Sequence, residues 1–262
     1  NMDLLKAAGY DHMPQSLDEF KEMVAATTDA SNDVYGFAMC AVSTEEGTFQ
    51  ILPWLRSVQN GTGVNVDNIT ADSAVNGLQT LGDFVANGYM SKECVNWTQS
   101  DVNNNFMAGN LAMQQNGPWQ IPGIEANAPD LNYGVTVLPK KDADSEQATS
   151  ILGGENMGVV NKDDTSGAEA FLKYYDQTDV MVDAMKQYGS YPPKTEAAKD
   201  SYWTDDPIQK AFLTQIDTSI PRGPSAAWPS YSSAIQTGFQ EVMTSAKTPE
   251  QAAKDTQAAV DA

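Results

Sequence analysis

The sequence is poor in the residues that most catalytic and metal sites need. It contains one histidine, His12, and two cysteines, Cys40 and Cys94, among 262 residues. His12 stands beside a proline turn and is expected at the surface, so a Ser-His or Cys-His arrangement has no evident base. The cysteines lie far apart and outside any zinc or CxxC spacing, which predicts two buried free thiols. Nucleophilic catalysis and structural zinc are therefore poor interpretations of this chain.

Basic residues and long apolar runs are also scarce. Fifteen Lys and Arg stand against 35 Asp and Glu, which gives a net charge of −20. Such a charge repels phosphate backbones and anionic lipids, and we interpret it as a solubilising surface. The sequence holds neither an apolar run long enough to span a membrane nor a signal-peptide pattern. We expect no nucleic acid partner, no membrane span, and any export signal outside these residues.

The short motifs of cofactor sites are incomplete. Gly61-x-Gly63 lacks the third glycine of a dinucleotide-binding loop, and no phosphate-binding GxxxxGK[ST] pattern occurs. A stretch that begins at Asp101 resembles a calcium loop but has Phe106 where that loop needs glycine. We therefore expect no cofactor, no metal and no catalytic residue.

Helical and strand-like patterns alternate along the chain, which is typical of an α/β fold. Ser16-Leu-Asp-Glu19 is a capping box, and the apolar residues behind it have helical spacing. Apolar runs bounded by polar loops predict strands over residues 34–42, 111–113, 133–138 and 151–160. Further helices are predicted from Thr48 to Ser57, from Ser73, behind a cap at Ser100, from Pro207, from Ser230 to Ser245 and behind Thr248.

Two stretches have the composition of boundaries between structural units. The polar segment from Lys140 to Thr149 is typical of a linker, and Gly189 with Tyr191-Pro192-Pro193 ends a helix sharply. These boundaries divide the chain into residues 1–140, 141–199 and 200–262.

Aromatic residues in predicted loops favour a carbohydrate site, because a sugar offers flat apolar faces ringed by hydroxyl groups. Trp119 follows the turn at residues 116–118, and Phe49 follows Glu45-Glu46. Trp228 and Tyr231 flank a proline at the start of a helix. We expect Trp119 and Trp228 to be exposed. Trp54, which lies within a predicted apolar helix, is expected in the core.

A carboxylate-dependent hydrolase is a second interpretation of the acidic loops. A glycosidase needs two carboxylates at a suitable separation, and Glu45, Glu46 and Glu155 stand in loop-like contexts. Binding explains the same residues with fewer requirements.

Several segments together resemble one known family. The pair Gln115–Trp119 (QNGPW) and Asn132–Pro139 (NYGVTVLP), the opening Asn1–Tyr10 (NMDLLKAAGY) and Phe106–Met113 (FMAGNLAM) follow the order found there. Thr248–Ala253 (TPEQAA) resembles the start of its closing helices. On these motifs the chain resembles the family 1 bacterial extracellular solute-binding proteins, which include maltose-binding proteins.

The resemblance implies a periplasmic-binding-protein type II fold, in which two α/β lobes enclose a ligand cleft. Residues 1–140 and 200–262 would form the second, C-terminal lobe, and 141–199 an inserted return to the first. The chain would start near the first crossing between lobes, with most of the first lobe outside these residues. We then expect this chain alone to bind sugar weakly or not at all.

The resemblance also implies ligands and partners. Trp119 matches the tryptophan that stacks on sugar, and either Trp228 or Tyr231 matches a later aromatic platform. The loop with Glu45, Glu46 and Phe49 matches one that supplies a carboxylate and an aromatic ring. Arg222 and Glu155 are further candidates. The implied protein is a monomer outside the cytoplasm, periplasmic or lipid-anchored, that delivers a sugar to ABC-importer permeases. A peptide or polyamine is the alternative solute.

Overall fold

The computed structural model describes residues 1–56, 68–142, 144–160, 163–222 and 225–262. The helices are α1 Met2–Ala7, α2 Leu17–Thr27, α3 Glu45–Arg56, α4 Asp72–Ala86, α5 Gln99–Met107, α6 Ile121–Asn127, α7 Ser166–Tyr175, α8 Thr178–Tyr188, α9 Ser201–Thr204, α10 Pro207–Ile216, α11 Trp228–Met243 and α12 Pro249–Val260. The strands are β1 Tyr35–Ala38, β2 Leu111–Gln114, β3 Ile151–Leu152 and β4 Ile220–Pro221. The predicted helix end at Ser57 and the Gly61-x-Gly63 motif lie outside the described residues.

The strands pair in parallel across long stretches of sequence. β1 pairs with β2, with Tyr35 opposite Leu111, and β3 pairs with β4, with Ile151 opposite Ile220. Parallel neighbours need crossover connections, and here helices supply them. The result is a helix-rich α/β fold, as the alternating pattern predicted.

The main core lies where α2, α3, α4 and α11 meet. Its centre is aromatic: the rings of Phe20 and Phe37 are 5.1 Å apart, and Trp54 packs 6.0 Å from Phe20. Trp54 is 1% exposed, and its indole N–H donates to Gln115 Oε1 at 2.7 Å. The prediction that Trp54 is a core residue is confirmed. Its bond to Gln115 joins α3 to the segment that leads to Trp119.

Most helix ends follow the local signals in the sequence. The start of α3 does not: the helix begins at Glu45 rather than at the predicted Thr48, so Glu45 and Glu46 lie in a helix and not in a loop. Ser16 accepts a hydrogen bond from the Glu19 amide, and Thr248 accepts one from the Gln251 amide, as the capping patterns predict. The predicted cap at Ser100 is wrong. Thr98 caps α5 instead, because it and Asp101 exchange both bonds of a capping box, which moves the helix start two residues earlier.

Three predicted strands differ in the structure. The strand predicted over residues 34–42 is only the four residues of β1. Residues 133–138 form no strand, and at Leu138 side-chain amides take the place of a strand partner. The Leu138 N–H donates to Gln215 Oε1 at 2.8 Å, and its carbonyl accepts from Gln147 Nε2 at 2.7 Å. The strand predicted over 151–160 is only the two residues of β3, since the backbone beyond Leu152 leaves β4 and becomes exposed.

An apolar surface follows β3. Leu152, Met157 and Val160 are exposed by 47%, 51% and 72%, and α7 has no buried residue. Phe171 and Tyr174 of α7 are also more than half exposed. We call these five side chains the 152–174 apolar surface. So many exposed apolar side chains in one stretch of the chain suit contact with further polypeptide.

The two cysteines and the single histidine lie where the sequence predicted. Cys40 and Cys94 are buried and free, and burial raises the pKa of each thiol to about 12. His12 is at the surface, where its ring contacts the carboxylates of Asp11 and Glu19. Across the ranges that the structure describes, every helix is too short or too polar to cross a membrane.

Candidate functional site

A cavity of about 870 Å³ opens where the ends of β3 and β4 meet the starts of α3 and α11. Its wall contains Glu45, Arg222 and Trp228, together with the backbone of residues 152–154. The residues of the wall therefore come from all three predicted segments, 1–140, 141–199 and 200–262. Short parallel strands end here, and such edges are common places for ligand sites in α/β proteins.

Glu45 is the polar centre of this cavity. It is the first residue of α3, where the partial positive charge of the helix terminus favours a carboxylate. Its Oε1 atom accepts from the Arg222 guanidinium and from the Trp228 indole N–H, the latter at 2.8 Å. Its Oε2 atom accepts from the Ser232 hydroxyl. One carboxylate thus ties the end of β4 to the first turns of α11.

An aromatic row continues from Arg222 across the site. The Arg222 guanidinium lies 5.1 Å from the centre of the Phe49 ring, a distance suited to a cation–π contact. Phe49 meets Trp119 edge to face, with ring centres 6.5 Å apart and planes at 72°. A Cβ atom on Gly153 would lie 2.9 Å from Phe49, so the chain after β3 passes directly over this ring. Glycine is needed there for that close approach.

Trp119 stands on a turn that is held by hydrogen bonds. Asn116 Nδ2 donates to the Gln99 carbonyl at 2.9 Å, and Asn116 Oδ1 accepts from the Gly117 N–H at 3.0 Å. The indole folds back over Gly117, where a Cβ atom would overlap three ring carbons. Trp119 is 38% exposed, which confirms that it is available to solvent. Trp228, predicted to be exposed as well, is half-buried because its indole N–H is bound to Glu45.

Three polar residues behind Glu45 were missed by the sequence analysis: Thr48, Ser232 and Gln236. The Thr48 and Ser232 hydroxyls are 2.7 Å apart and buried, and Gln236 Nε2 lies 2.9 Å from each of them. A signal existed, since Ser232 and Gln236 follow Trp228 at steps of four along α11. That spacing places them on one helix face but does not say what the face contacts.

Tyr231, Glu46 and Glu155 are not among the residues of the cavity wall. Tyr231 packs against the main core. The carboxylate of Glu46 accepts from the Gln99 N–H at 2.9 Å, at the start of α5, and lies near the Cys40 thiol. Glu155 is exposed on the segment after β3. Glu45, Arg222 and Trp228 therefore line the cavity, and Phe49 and Trp119 join them through ring contacts beside the wall. Glu46 and Tyr231 make other contacts.

The site offers aromatic faces and hydrogen-bonding groups without a surplus of charge. The charged residues among its described lining are Glu45 and Arg222, which are bonded to each other. Arg222 keeps further N–H donors beyond the one that meets Glu45. Such a wall suits a neutral ligand that has both apolar faces and hydroxyl groups.

Comparisons with known proteins agree with this architecture. A family model described as bacterial extracellular solute-binding protein matches residues 1–211. Among curated proteins, a putative binding protein of Brucella abortus (strain 2308) is 21% identical over 265 residues, covering 100% of this chain and 64% of that protein. The chain thus spans less than two thirds of the length of such relatives.

Solved structures share the fold. An ABC transporter solute-binding protein of Thermotoga lettingae TMO, bound with α-D-tagatose, has a TM-score of 0.83 at 23% identity, covering 100% of this chain and 68% of the other. Maltose-bound MalE3 of T. maritima has a TM-score of 0.84 at 22% identity, covering 99% and 68%. A cyclo/maltodextrin-binding protein complexed with maltotetraose has a TM-score of 0.69 at 20% identity, covering 95% and 64%. At these sequence identities, the comparisons show a shared fold and nothing more.

Proposed function

Because the chain belongs to the bacterial extracellular solute-binding proteins, we propose that it binds a sugar or oligosaccharide in this cavity as the substrate-binding component of an ABC importer. The observation that carries the proposal is the continuous row of Trp119, Phe49, Arg222, Glu45 and Trp228. Aromatic faces with adjacent hydrogen-bonding groups match the two kinds of surface on a sugar. Structural neighbours that contain tagatose, maltose or maltotetraose support the same class of ligand.

The role of each residue in the proposal follows from its contacts. Trp119 supplies an exposed aromatic platform, and Trp228, rather than Tyr231, supplies the second because it is Trp228 that belongs to the cavity wall. Phe49 supports both Trp119 and Arg222. The N–H groups of Arg222 beyond the one that meets Glu45 donate to ligand oxygens, and Glu45 holds Arg222 and Trp228 in place.

A polyamine or other cationic solute is less favoured. A cation site needs unpaired carboxylates, yet the Glu45 carboxylate already accepts from the Arg222 guanidinium. The net charge of −20 belongs to the chain as a whole, and the described cavity wall contains one carboxylate and one guanidinium.

Glycan hydrolysis is also less favoured. A glycosidase places two carboxylates about 5–9.5 Å apart on either side of the scissile bond. Glu45 lines the cavity, but the Glu46 carboxylate is bound to the start of α5, so the two adjacent glutamates do not face one space. We propose that the ligand is bound and released unchanged, with no cofactor.

The division into lobes is part of the proposal. Residues 1–140 and 200–262 form one lobe, and residues 141–199 return to the other, so that the cavity is part of the cleft between them. The 152–174 apolar surface supports this division, because it lies in the return segment and suits contact with further polypeptide. A ligand that contacts both sides of such a cleft stabilises its closed state. We further propose that the protein acts outside the cytoplasm as a monomer, free or lipid-anchored, and contacts importer permeases.

Calorimetric titration of the mature protein with maltose, maltotetraose, tagatose, spermidine and a short peptide tests the proposal. We expect one of the sugars to bind, and Trp119→Ala and Trp228→Ala each to weaken binding by about tenfold or more, since such side chains dominate binding energies. Tyr188→Ala is the matched control, because Tyr188 is 65% exposed and lies away from the cavity wall. Binding of spermidine or peptide alone, unaffected by the tryptophan changes, would overturn the sugar assignment.

A further inference from the structure

A series of hydrogen-bonded polar residues lies directly behind the Glu45 carboxylate. Thr48 and Ser232 are 0% and 2% exposed, and Gln236 reaches both hydroxyls through its Nε2 atom. Burying polar groups in an apolar core costs free energy unless each group finds a partner. Each of the three residues hydrogen-bonds the other two, and Ser232 also bonds Glu45. This series of hydrogen bonds therefore ends at the ligand site.

The direction of each hydrogen bond follows from counting hydrogens. A carboxylate only accepts, so the single hydrogen of the Ser232 hydroxyl is donated to Glu45 Oε2. Ser232 must then accept in its 2.7 Å contact with Thr48, which makes the Thr48 hydroxyl the donor. Thr48 in turn accepts from Gln236 Nε2 at 2.9 Å. Gln236 Nε2 also donates directly to Ser232 at 2.9 Å. Both routes from Gln236, the direct one and the one through Thr48, therefore lead through Ser232 to Glu45, and bonds aligned in this way strengthen one another.

The helix geometry places these hydrogen-bonded residues one turn below the cavity. Glu45 and Thr48 are three residues apart on α3, and Trp228 and Ser232 are four apart on α11, so each pair shares a helix face. The two faces meet, since Ser232 of α11 bonds both Thr48 and Glu45 of α3. A small rotation of the carboxylate at this junction changes what it presents to the cavity.

We propose that Ser232 is a positioning residue of the ligand site: it fixes the Glu45 carboxylate in the one orientation that also binds Trp228 and Arg222. This role rests on the proposed function. Without the Ser232 donor, Oε2 loses its partner, and the final torsion of a glutamate side chain is soft. The carboxylate then turns, and the indole N–H of Trp228 loses the acceptor that holds its ring against the cavity.

The orientation of Trp228 can be measured without any ligand. Each tryptophan indole N–H gives one ¹⁵N–¹H resonance, and Trp228→Phe identifies that of Trp228. Ser232→Ala is expected to shift the Trp228 resonance and to speed its exchange with solvent, while the Trp54 resonance stays in place. Ser233→Ala is the matched control, because Ser233 is the exposed neighbour on the same helix and its side chain faces away from Glu45.

Binding is the second measurement. Ser232→Ala is expected to weaken sugar binding about tenfold, the usual effect of losing a hydrogen bond to a charged group, and Ser233→Ala to leave it unchanged. A Trp228 resonance that is the same in Ser232→Ala and in the unchanged protein overturns the positioning role, even if the variant is less stable. If no sugar binds the unchanged protein, the proposed function fails, and the resonance still decides whether Ser232 positions Trp228.

Thr48→Val provides an independent variant if Ser232→Ala does not fold, as judged by the Trp54 resonance. Valine matches threonine in shape and removes only the hydroxyl that donates to Ser232. The Trp228 resonance is expected to move in the same direction as in Ser232→Ala but by a smaller amount, because Ser232 keeps its bond to Glu45. If the Trp228 resonance does not move in Thr48→Val, the proposed direction of the hydrogen bonds from Gln236 to Glu45 is wrong.

Discussion

Gly117→Ala separates the stability of this protein from its ligand binding. The backbone of Gly117 has φ −116° and ψ 169°, which any residue adopts, so an alanine there brings no backbone strain. Its Cβ atom would instead overlap three carbons of the Trp119 ring, which folds back over this position. The ring must turn away, since the turn beneath it is held by Asn116. The substitution therefore acts on the proposed platform alone.

The size of the effect follows from how much of Trp119 is free to meet a ligand. A tryptophan side chain presents about 200 Å², of which 38% is exposed here, or about 75 Å². At about 25 cal/mol per Å², covering all of that surface is worth about 2 kcal/mol. Losing the edge-to-face contact with Phe49 adds about 0.5–1.5 kcal/mol to the cost of displacing the ring. A sugar covers one face, so we expect binding to weaken by about 1–2 kcal/mol, or roughly 5- to 30-fold.

The stability should change little. Replacing glycine by alanine at a permitted backbone geometry stabilises a protein by about 0.4–1 kcal/mol, because the unfolded chain loses freedom. This gain is offset by the lost contact between Trp119 and Phe49. We therefore expect calorimetric titration of Gly117→Ala to show weaker sugar binding, while urea unfolding shows a stability that changes by no more than about 1 kcal/mol. Gly123→Ala is the matched control, since the nearest atom to its Cβ is 3.9 Å away. Full affinity in Gly117→Ala would refute the assignment of Trp119 as a platform.

Three further predictions concern stability and titration. Gly238→Ala places a methyl group into the Thr256 hydroxyl at the α11–α12 contact and should destabilise the fold by about 1–3 kcal/mol in urea unfolding. Thr98→Ala removes the α5 cap and should cost about 1 kcal/mol by the same assay. The pKa of His12 should exceed 6.5 by NMR titration, because Glu19 first and Asp11 second bind its protonated ring. The stabilisation that this ion pairing contributes is fully present below pH 6.5, and it is lost as the pH rises through the raised pKa of His12.

Each of these predictions has a control within the chain. Thr256→Ala in the Gly238→Ala background should restore part of the lost stability, since it removes the hydroxyl that the methyl group meets. Ser100→Ala should have no measurable effect on unfolding, and an effect equal to that of Thr98→Ala would contradict the assigned cap. Glu19→Gln should return the His12 pKa towards 6.5, and a pKa already at that value in the unchanged protein would contradict the ion pair.

Much of the helical structure was predictable because helix signals are local. The residues that cap α2 and α12 and the proline that starts α10 act on backbone groups within one turn. The same locality explains the error at α5, where Thr98 and Ser100 are both acceptable caps and only the bond partner of Asp101 distinguishes them. The strand predicted over residues 133–138 failed because a strand exists only with a partner, and glutamine side chains occupy that place.

For the site, the amino-acid sequence determined which residue types were available: aromatic rings, two adjacent glutamates and a turn that carries Trp119. The tertiary structure decided which of them meet. Glu45 and Ser232 are 187 positions apart, and Glu45 and Arg222 are 177 apart, so no local pattern predicts either contact. Glu45 and Glu46 are neighbours in sequence, yet one lines the cavity and the other accepts from the Gln99 N–H at the start of α5, because adjacent side chains on a helix point about 100° apart. Packing, which acts between distant segments, is what turned a list of candidates into a site.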